Sequence, residues 1–237
     1  EDHPEAIQDV MQYLDSRFPE ITSLHYIINT KANDTFFDLP VQHFSGNPFI
    51  REDLDGLELR LGPKSFYQTN SEGAKQLFRT IREIANIQPD ETVYDLYTGV
   101  GSIALYLADQ AKQIIGIESV AEAIEFAEEN ARVNDIHNTA FHTGEMRKIL
   151  NDDFIHQNGH PDVMITDPPR DGMHPKVVKA IQHAAPKRLV YISCNPSTQA
   201  RDLELLKDQY DVQFAQPMDM FPHTFHVENI LLLTRKN

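Results

Sequence analysis

The chain has 237 residues, 41% of them hydrophobic, and a formal net charge of −15. That length builds one large domain or one domain with a small partner. That charge excludes a surface that grips nucleic acid all over, because phosphate contacts need lysine and arginine. A single cysteine excludes an internal disulfide and a cysteine-built metal or iron–sulfur cluster. No stretch stays apolar for the roughly 20 residues of a membrane helix, and the N-terminus lacks a signal peptide's apolar core. A reducing, cytoplasmic setting is expected, with no membrane partner and no bound metal. The chain begins at Glu1, not methionine, as expected of a piece of a longer protein.

Residues 4–17 place Ile7, Val10, Met11 and Leu14 at helical spacing. HYIINT (25–30), TFFDL (35–39) and LELRLG (57–62) read as strands separated by Asn, Asp, Gly and Pro. Residues 1–62 are therefore expected to form a small α+β domain, too small to be comfortable alone. From Ser71 the pattern changes. Ala74, Leu77, Phe78, Ile81 and Ile84 line one helical face. Strands TVYDLY (92–97), QIIGIE (113–118), TAFHTG (139–144), DVMITD (162–167) and RLVYIS (188–193) then alternate with helices. Two further strands, 212–220 and 228–236, close the chain with no helix between them. Apolar runs alternating with amphipathic helices predict an α/β fold over residues 63–237. It is a Rossmann-like, doubly wound, mostly parallel seven-stranded sheet with an antiparallel C-terminal edge. The acidic run EAIEFAEEN is expected to be a solvated helix face.

Gly99 and Gly101 follow the first strand of this unit and precede a helix. Glycine lets backbone approach a ligand without a Cβ clash. Glu118 ends the next strand, where a carboxylate takes both ribose hydroxyls. Gly99-Val-Gly101-Ser-Ile-Ala104 matches the dinucleotide pattern, so a nicotinamide cofactor is one reading and a plain strand–helix turn another. Two features favour S-adenosylmethionine. Asp95 stands just before the turn, where a carboxylate faces a cationic amino-acid end and would repel a pyrophosphate. The element Asp167-Pro168-Pro169-Arg170 ends the fourth strand, and its two prolines make a rigid lip. Such a lip holds a planar base against the methyl donor. Arg170, where an amino-methylating enzyme has an aromatic, favours a carbonyl-rich ring or a phosphate. The plain alternative is a strand terminator.

The lone thiol, Cys194, sits at the mouth of a strand in Ser-Cys-Asn-Pro. It is either a small buried hydrophobe or a nucleophile. His223 and His226 have metal-like spacing without accompanying carboxylates or thiols, and read as loop-structuring or substrate-facing. Arg201 has two readings, an RNA phosphate contact or a pair with Asp202 or Glu204.

FYQTN (66–70), DLYTGVG (95–101), DPPRDG (167–172), SCNPSTQARDL (193–203) and FPHTFHVE (221–228) occur in this order. Together they resemble the S-adenosylmethionine-dependent RNA uracil-5-methyltransferases, which make 5-methyluridine in 23S rRNA or in the tRNA T-loop. The resemblance is strong over residues 63–237, and 1–62 are similar to that family's small central domain. It implies methyl transfer to C5 of a uridine in structured RNA, with 23S rRNA favoured over tRNA. It makes Cys194 the nucleophile that adds to uracil C6, and Glu228 the base that removes the C5 proton. Gln68, Tyr97, Glu118 and Asp167 become cofactor contacts, joined by Asp95, Gly99, Gly101 and Ser102. Ser102 stands where relatives often have asparagine, and Thr98 where many have a cysteine. Asp167, Pro168, Arg170 and His223 are expected on the substrate side. The resemblance also implies that this is a catalytic part whose grip on RNA lies elsewhere, since many relatives carry an N-terminal β-barrel. The rivals are a cytosine-C5 or other RNA methyltransferase, a nicotinamide-dependent oxidoreductase, and a non-enzymatic RNA-binding module.

Overall fold

A computed structural model describes residues 3–36 and 38–236. Helix α1 (Pro4–Arg17) leads into two ribbons. Strands β1 (Ser23–Tyr26) and β2 (Gln42–Gly46) pair antiparallel, as do β3 (Ile50–Leu54) and β4 (Leu57–Leu61). Then follow α2 (Ser71–Ala85), β5 (Thr92–Leu96), α3 (Ser102–Leu107), β6 (Gln113–Glu118), α4 (Ala121–Val133) and β7 (Thr139–Thr143). Two short helices come next, α5 (Met146–Ile149) and α6 (Asp152–Asn158), before β8 (Val163–Thr166). The chain continues with α7 (Pro175–Ala184), β9 (Arg188–Ser193), α8 (Pro196–Leu206), β10 (Tyr210–Met218) and β11 (Glu228–Arg235).

The seven-stranded sheet has the order β10-β11-β9-β8-β5-β6-β7. Its five strands from β9 to β7 are parallel, and β11 runs antiparallel to both β9 and β10. The expected seven-stranded sheet with its antiparallel edge is what the chain forms. Side chains alternate across the sheet. Val93, Ile165, Val190 and Ile192 face one layer with Leu77 and Ile81 of α2. Tyr94, Leu96, Met164 and Tyr191 face the other, with Val177 and Ile181 of α7. Each fully buried Leu, Ile or Phe in these layers contributes about 1.5–3 kcal/mol.

The N-terminal segment departs from its sequence pattern. The first strand is Ser23–Tyr26, not 25–30, and Thr35, Phe36, Asp38 and Leu39 are in no strand. Phe37 lies outside the described residues. Asparagine side chains take over the backbone here. Asn29 Oδ1 accepts from Lys31 N at 2.9 Å, and Asn33 Oδ1 accepts from Thr35 N at 3.2 Å. Such local bonds compete with a strand ladder. Strands β2 and β3 are polar ribbon strands with mixed exposure, so they carry no clean alternation for a reader of the sequence.

The hairpin β3–β4 is welded to the large sheet. Leu54, Leu59 and Leu61 are buried in the same cluster as Leu77 and Ile81. The weld is also polar. Asn130 of α4, fully buried, accepts from Arg60 N at 2.7 Å and donates to Val100 O at 3.2 Å and Arg60 O at 3.3 Å. The run EAIEFAEEN is thus a solvated face only in part. Glu125 and Glu128 are exposed, while Ile124, Ala127 and Asn130 turn inward. Asn130→Ala leaves the Arg60 N–H and the Val100 carbonyl unpaired away from water. Urea unfolding is expected to show a loss of about 2–3 kcal/mol.

Candidate active site

The carboxyl ends of β5, β6, β8 and β9 open onto one cavity of about 730 Å³. The glycine turn forms one wall. Gly99 (φ +55°) and Gly101 (φ +80°) both need the left-handed region. A Cβ on Gly99 would meet nothing within 4 Å, whereas one on Gly101 would press on Phe141 at 3.0 Å and Ala127 at 3.1 Å. Gly99 therefore faces the open side and Gly101 the packed side. Tyr97 holds a positive φ of +66°, an outlier for a bulky residue and one that recurs at functional sites. Glu118 secures the turn from β6. Its Oε2 accepts from Gly99 N at 3.3 Å, and its Oε1 accepts from Ser119 N at 2.6 Å and Val120 N at 3.0 Å.

Asp95 is not on the wall. It follows Val93 to the α2–α3 side of the sheet and is only 1% exposed. Its Oδ2 accepts from Thr98 Oγ1 at 2.5 Å, and the carboxylate also takes the Ala104 N–H in the first turn of α3. Its Oδ1 is buried without a partner. Burial pushes its pKa up to about 7, against the Thr98 and Ala104 hydrogen bonds that lower it. The period-two alternation of β5 explains the placement: Leu96 faces the opposite layer, so Asp95 lies beneath the turn it supports.

The proline lip forms the opposite wall. Asn195 Nδ2 and Thr198 Oγ1 both donate to Arg170 O, at 3.0 and 3.1 Å. Behind them Asp202, fully buried, accepts from Met173 N at 2.7 Å and Tyr191 Oη at 2.8 Å. Arg201 pairs with Asp202 at 2.7 Å and donates to Asp171 O at 2.9 Å, so its guanidinium is committed to the lip.

Cys194 follows β9 and is half-buried. Asn229 of β11 lies opposite Ser193 of β9 in antiparallel register. That register sets Glu228, 6% exposed, against Cys194. Gln199, equally hidden, staples the two strands through Tyr191 O at 3.0 Å, Asn229 O at 3.2 Å and Asn229 Nδ2 at 2.6 Å. The groups share one electrostatic environment. Burial and then the Glu228 charge push the Cys194 thiol up, while a hydrogen bond from Arg170 pulls it down. Burial raises Glu228, again countered by Arg170. Asp167 is pushed up to about 8 by burial, then by Glu228 and Asp95.

Of the residues expected from sequence, Gln68, Tyr97, Gly99, Ser102 and Glu118 line the cavity on one side. Asp167, Pro168, Arg170, Cys194 and Glu228 line it on the other. Asp95, Gly101 and His223 do not. His223 is exposed with a φ of +73° and shapes the loop, while His226 reaches the wall and meets the Arg170 guanidinium. The aromatics Phe66, Tyr67 and Phe221 line the cavity too, unforeseen because nothing in their spacing marks them. Asn70 had a legible signal as a helix cap. Its Oδ1 accepts from Gly73 N at 3.0 Å. Its Nδ2 donates to Met220 O at 2.8 Å, tying FYQTN to the loop before Glu228.

A sequence model described as tRNA (Uracil-5-)-methyltransferase matches residues 55–236. The chain belongs to that family. It is 56% identical over 234 residues to an uncharacterized RNA methyltransferase of Bacteroides thetaiotaomicron, covering 98% of this chain and 52% of the relative. It superposes with a TM-score of 0.79 and 34% identity on the tRNA (uracil-54, C5)-methyltransferase of Pyrococcus abyssi, solved in complex with S-adenosyl-L-homocysteine. That match covers 92% of this chain and 52% of the other. The M. jannaschii tRNA m1G37 methyltransferase, at TM-score 0.63 and 13% identity over 100% of this chain and 70% of its own, shares the fold. The chain spans about half the length of the curated relatives it matches.

Membership of the tRNA (uracil-5-)-methyltransferase family sets aside the nicotinamide reading of the glycine turn. The residues present fit S-adenosylmethionine, the cofactor that the resemblance implies. The open side of Gly99 admits a ligand, Glu118 Oε2 accepts only the long 3.3 Å bond from Gly99 N and is the oxygen left for a hydroxyl, and Asp95 Oδ1 is partnerless under the turn.

The raised Asp167 has a consequence for stability. Between about pH 4 and 8 the folded chain holds a proton that the unfolded chain has released, so stability falls as pH rises through that window. Asp167→Asn is expected to raise the urea midpoint of the ligand-free protein at pH 8, with the gain shrinking towards pH 4.

Proposed function

We propose that this protein transfers a methyl group from S-adenosylmethionine to C5 of a uridine in structured RNA, through a covalent bond between Cys194 and uracil C6. One observation carries the reading: Cys194 and Glu228 are set against each other in the same cavity as the glycine turn. The bound cofactor supplies an electrophilic methyl. The chain supplies the rest. Uracil C5 is a poor carbon nucleophile, and addition of the Cys194 thiolate at C6 gives the ring enolate character that puts electron density on C5. Burial and the Glu228 charge hold the Cys194 thiol above its ordinary range, and Arg170, which bonds the thiol, opposes them and is the one group beside it that favours the thiolate. Asp167, held above the ordinary carboxylate range, is protonated at neutral pH and donates to a ring carbonyl or the donor. Once C5 carries the methyl, Glu228 takes the C5 proton, the C5–C6 double bond re-forms and the C6–Sγ bond breaks, returning the Cys194 thiolate. A carboxylate with a raised pKa suits that proton removal. The uridine must leave its stack to reach Cys194.

The resemblance favours 23S rRNA. The Pyrococcus relative acts on tRNA uracil-54, which favours tRNA as the second reading. Nucleoside mass spectrometry on rRNA and tRNA from cells lacking the full-length gene separates them. Loss of 5-methyluridine at one mapped position is the expected result, and loss of a methylated cytidine instead would overturn the uracil assignment.

Two variants test the residues. Cys194→Ala is expected to reduce methyl transfer to background while S-adenosylmethionine binding by calorimetry stays close to the parent's. Glu228→Gln is expected to slow product release from the enzyme by about 10²–10⁴-fold and to accumulate a protein–RNA adduct on a denaturing gel. Product at the normal rate without an adduct would remove Glu228 from the role of base.

A further inference from the structure

Two of the described large apolar side chains stand out for exposure, Phe225 at 89% and Phe66 at 75%, against 60% for the next, Tyr13. Both belong to segments that build the cavity. Their positions differ. Phe66 lines the cavity, and Phe225 lies outside it, one residue from His226, which lines it. The Phe225 ring sits on the His226 ring with centroids 4.2 Å apart and planes tilted by 45°.

The loop beneath Phe225 is pinned. Thr224 Oγ1 donates to Phe221 O at 2.8 Å, Thr224 N donates to the same carbonyl at 3.1 Å, and His226 N donates to Thr224 Oγ1 at 3.2 Å. His226 is held in turn by the Arg170 guanidinium of the proline lip. A phenyl ring left this exposed forgoes about 2–3 kcal/mol of burial, and no core cluster includes it. Folding does not call for a phenylalanine here. A pinned, exposed ring beside the cavity presents a flat apolar face to whatever surrounds the entering base.

We propose that Phe225 is a stacking platform for the RNA base next to the uridine that enters the cavity. The inference rests on the uridine reading above. When one nucleotide leaves its stack, its neighbour loses a partner face, and an aromatic ring replaces it whatever the base. The occupant is a nucleotide base and not a phosphate, because the residue offers a ring and no positive charge. With 36 acidic against 21 basic side chains, the chain gains little from phosphate contacts over its surface as a whole. A ring face grips RNA without needing that charge.

The experiment uses the full-length protein and RNA isolated from cells lacking its gene, with Phe225→Ala, Phe225→Leu and Phe225→Trp. Stacking on an aromatic contributes about 1–3 kcal/mol per base, so Phe225→Ala should raise the RNA KM about tenfold. The kcat should change less than about twofold, and the Kd for S-adenosylmethionine not at all. Phe225→Trp should restore KM, and Phe225→Leu, apolar but without a ring, should not. The slope of log KM against log salt should stay that of the parent, since no phosphate contact is lost. An unchanged KM in Phe225→Ala, or Leu serving as well as Trp, overturns the stacking role and leaves the uridine reading intact. Failure of the parent protein to methylate uridine in that RNA overturns the uridine reading, and the stacking role with it.

Discussion

Strand β11 runs against β9 with Asn229 opposite Ser193, and the candidate site depends on that register. It brings the first residue of β11, Glu228, against the residue that follows β9, Cys194, although they are far apart in the chain. A slip by one position would turn Glu228 to the other face of the sheet, because side chains alternate with a period of two. The Gln199 amide resists such a slip by bonding both strands at once. A parallel strand at this place would need a helical crossover. The antiparallel return needs only the loop from Asp219 to Val227, and that loop carries His226 to the cavity wall and Phe225 beside it.

Electrostatics decides what this geometry costs and what it offers. Two acidic groups, Asp167 and Glu228, gather round a half-buried thiol with Arg170 as the opposing charge, and Asp95 acts on Asp167 from beneath the turn. Carboxylates crowded in a low-dielectric site are driven towards their neutral forms. The site thus spends stability near neutral pH to hold proton donors and acceptors close together, a pattern common where function needs shifted pKa values. Arg170 has several loyalties. Its carbonyl is held by Asn195 and Thr198 from the start of α8, and its guanidinium meets His226 and the thiol. The lip, the nucleophile's helix and the aromatic loop are mechanically one piece.

The N-terminal segment joins this piece through β3 and β4, whose leucines complete the layer over α2. Asn130 makes the same connection in polar currency, threading α4 to Arg60 and to the glycine turn at Val100. The turn that lines the cavity is therefore braced from behind by residues that never approach the cavity.

Much of this was legible in the chain itself. The alternation of apolar runs and amphipathic helices determined the doubly wound sheet, because each strand must bury both faces. Five short motifs in one order determined the family, and they carry Gln68, Tyr97, Asp167, Cys194 and Glu228, all of which the fold gathers round one cavity. Local chemistry misled where side chains compete with backbone, as at Asn29 and Asn33. It was silent where a residue's direction depends on a distant partner. Asp95 looked like a ligand contact and lies under the turn, because β5's pleat and the N–H of Ala104 place it there. His223 and His226 shared one reading from their spacing, and the resemblance put His223 on the substrate side. Only the folded loop, with a left-handed backbone at His223, turns one to solvent and the other to Arg170. The sequence by itself determined which elements form and which reactive groups they carry, since both follow from periodicity and side-chain chemistry. Only the tertiary structure decided which groups face one another, since that is set by strand register and loop packing between residues far apart in the chain.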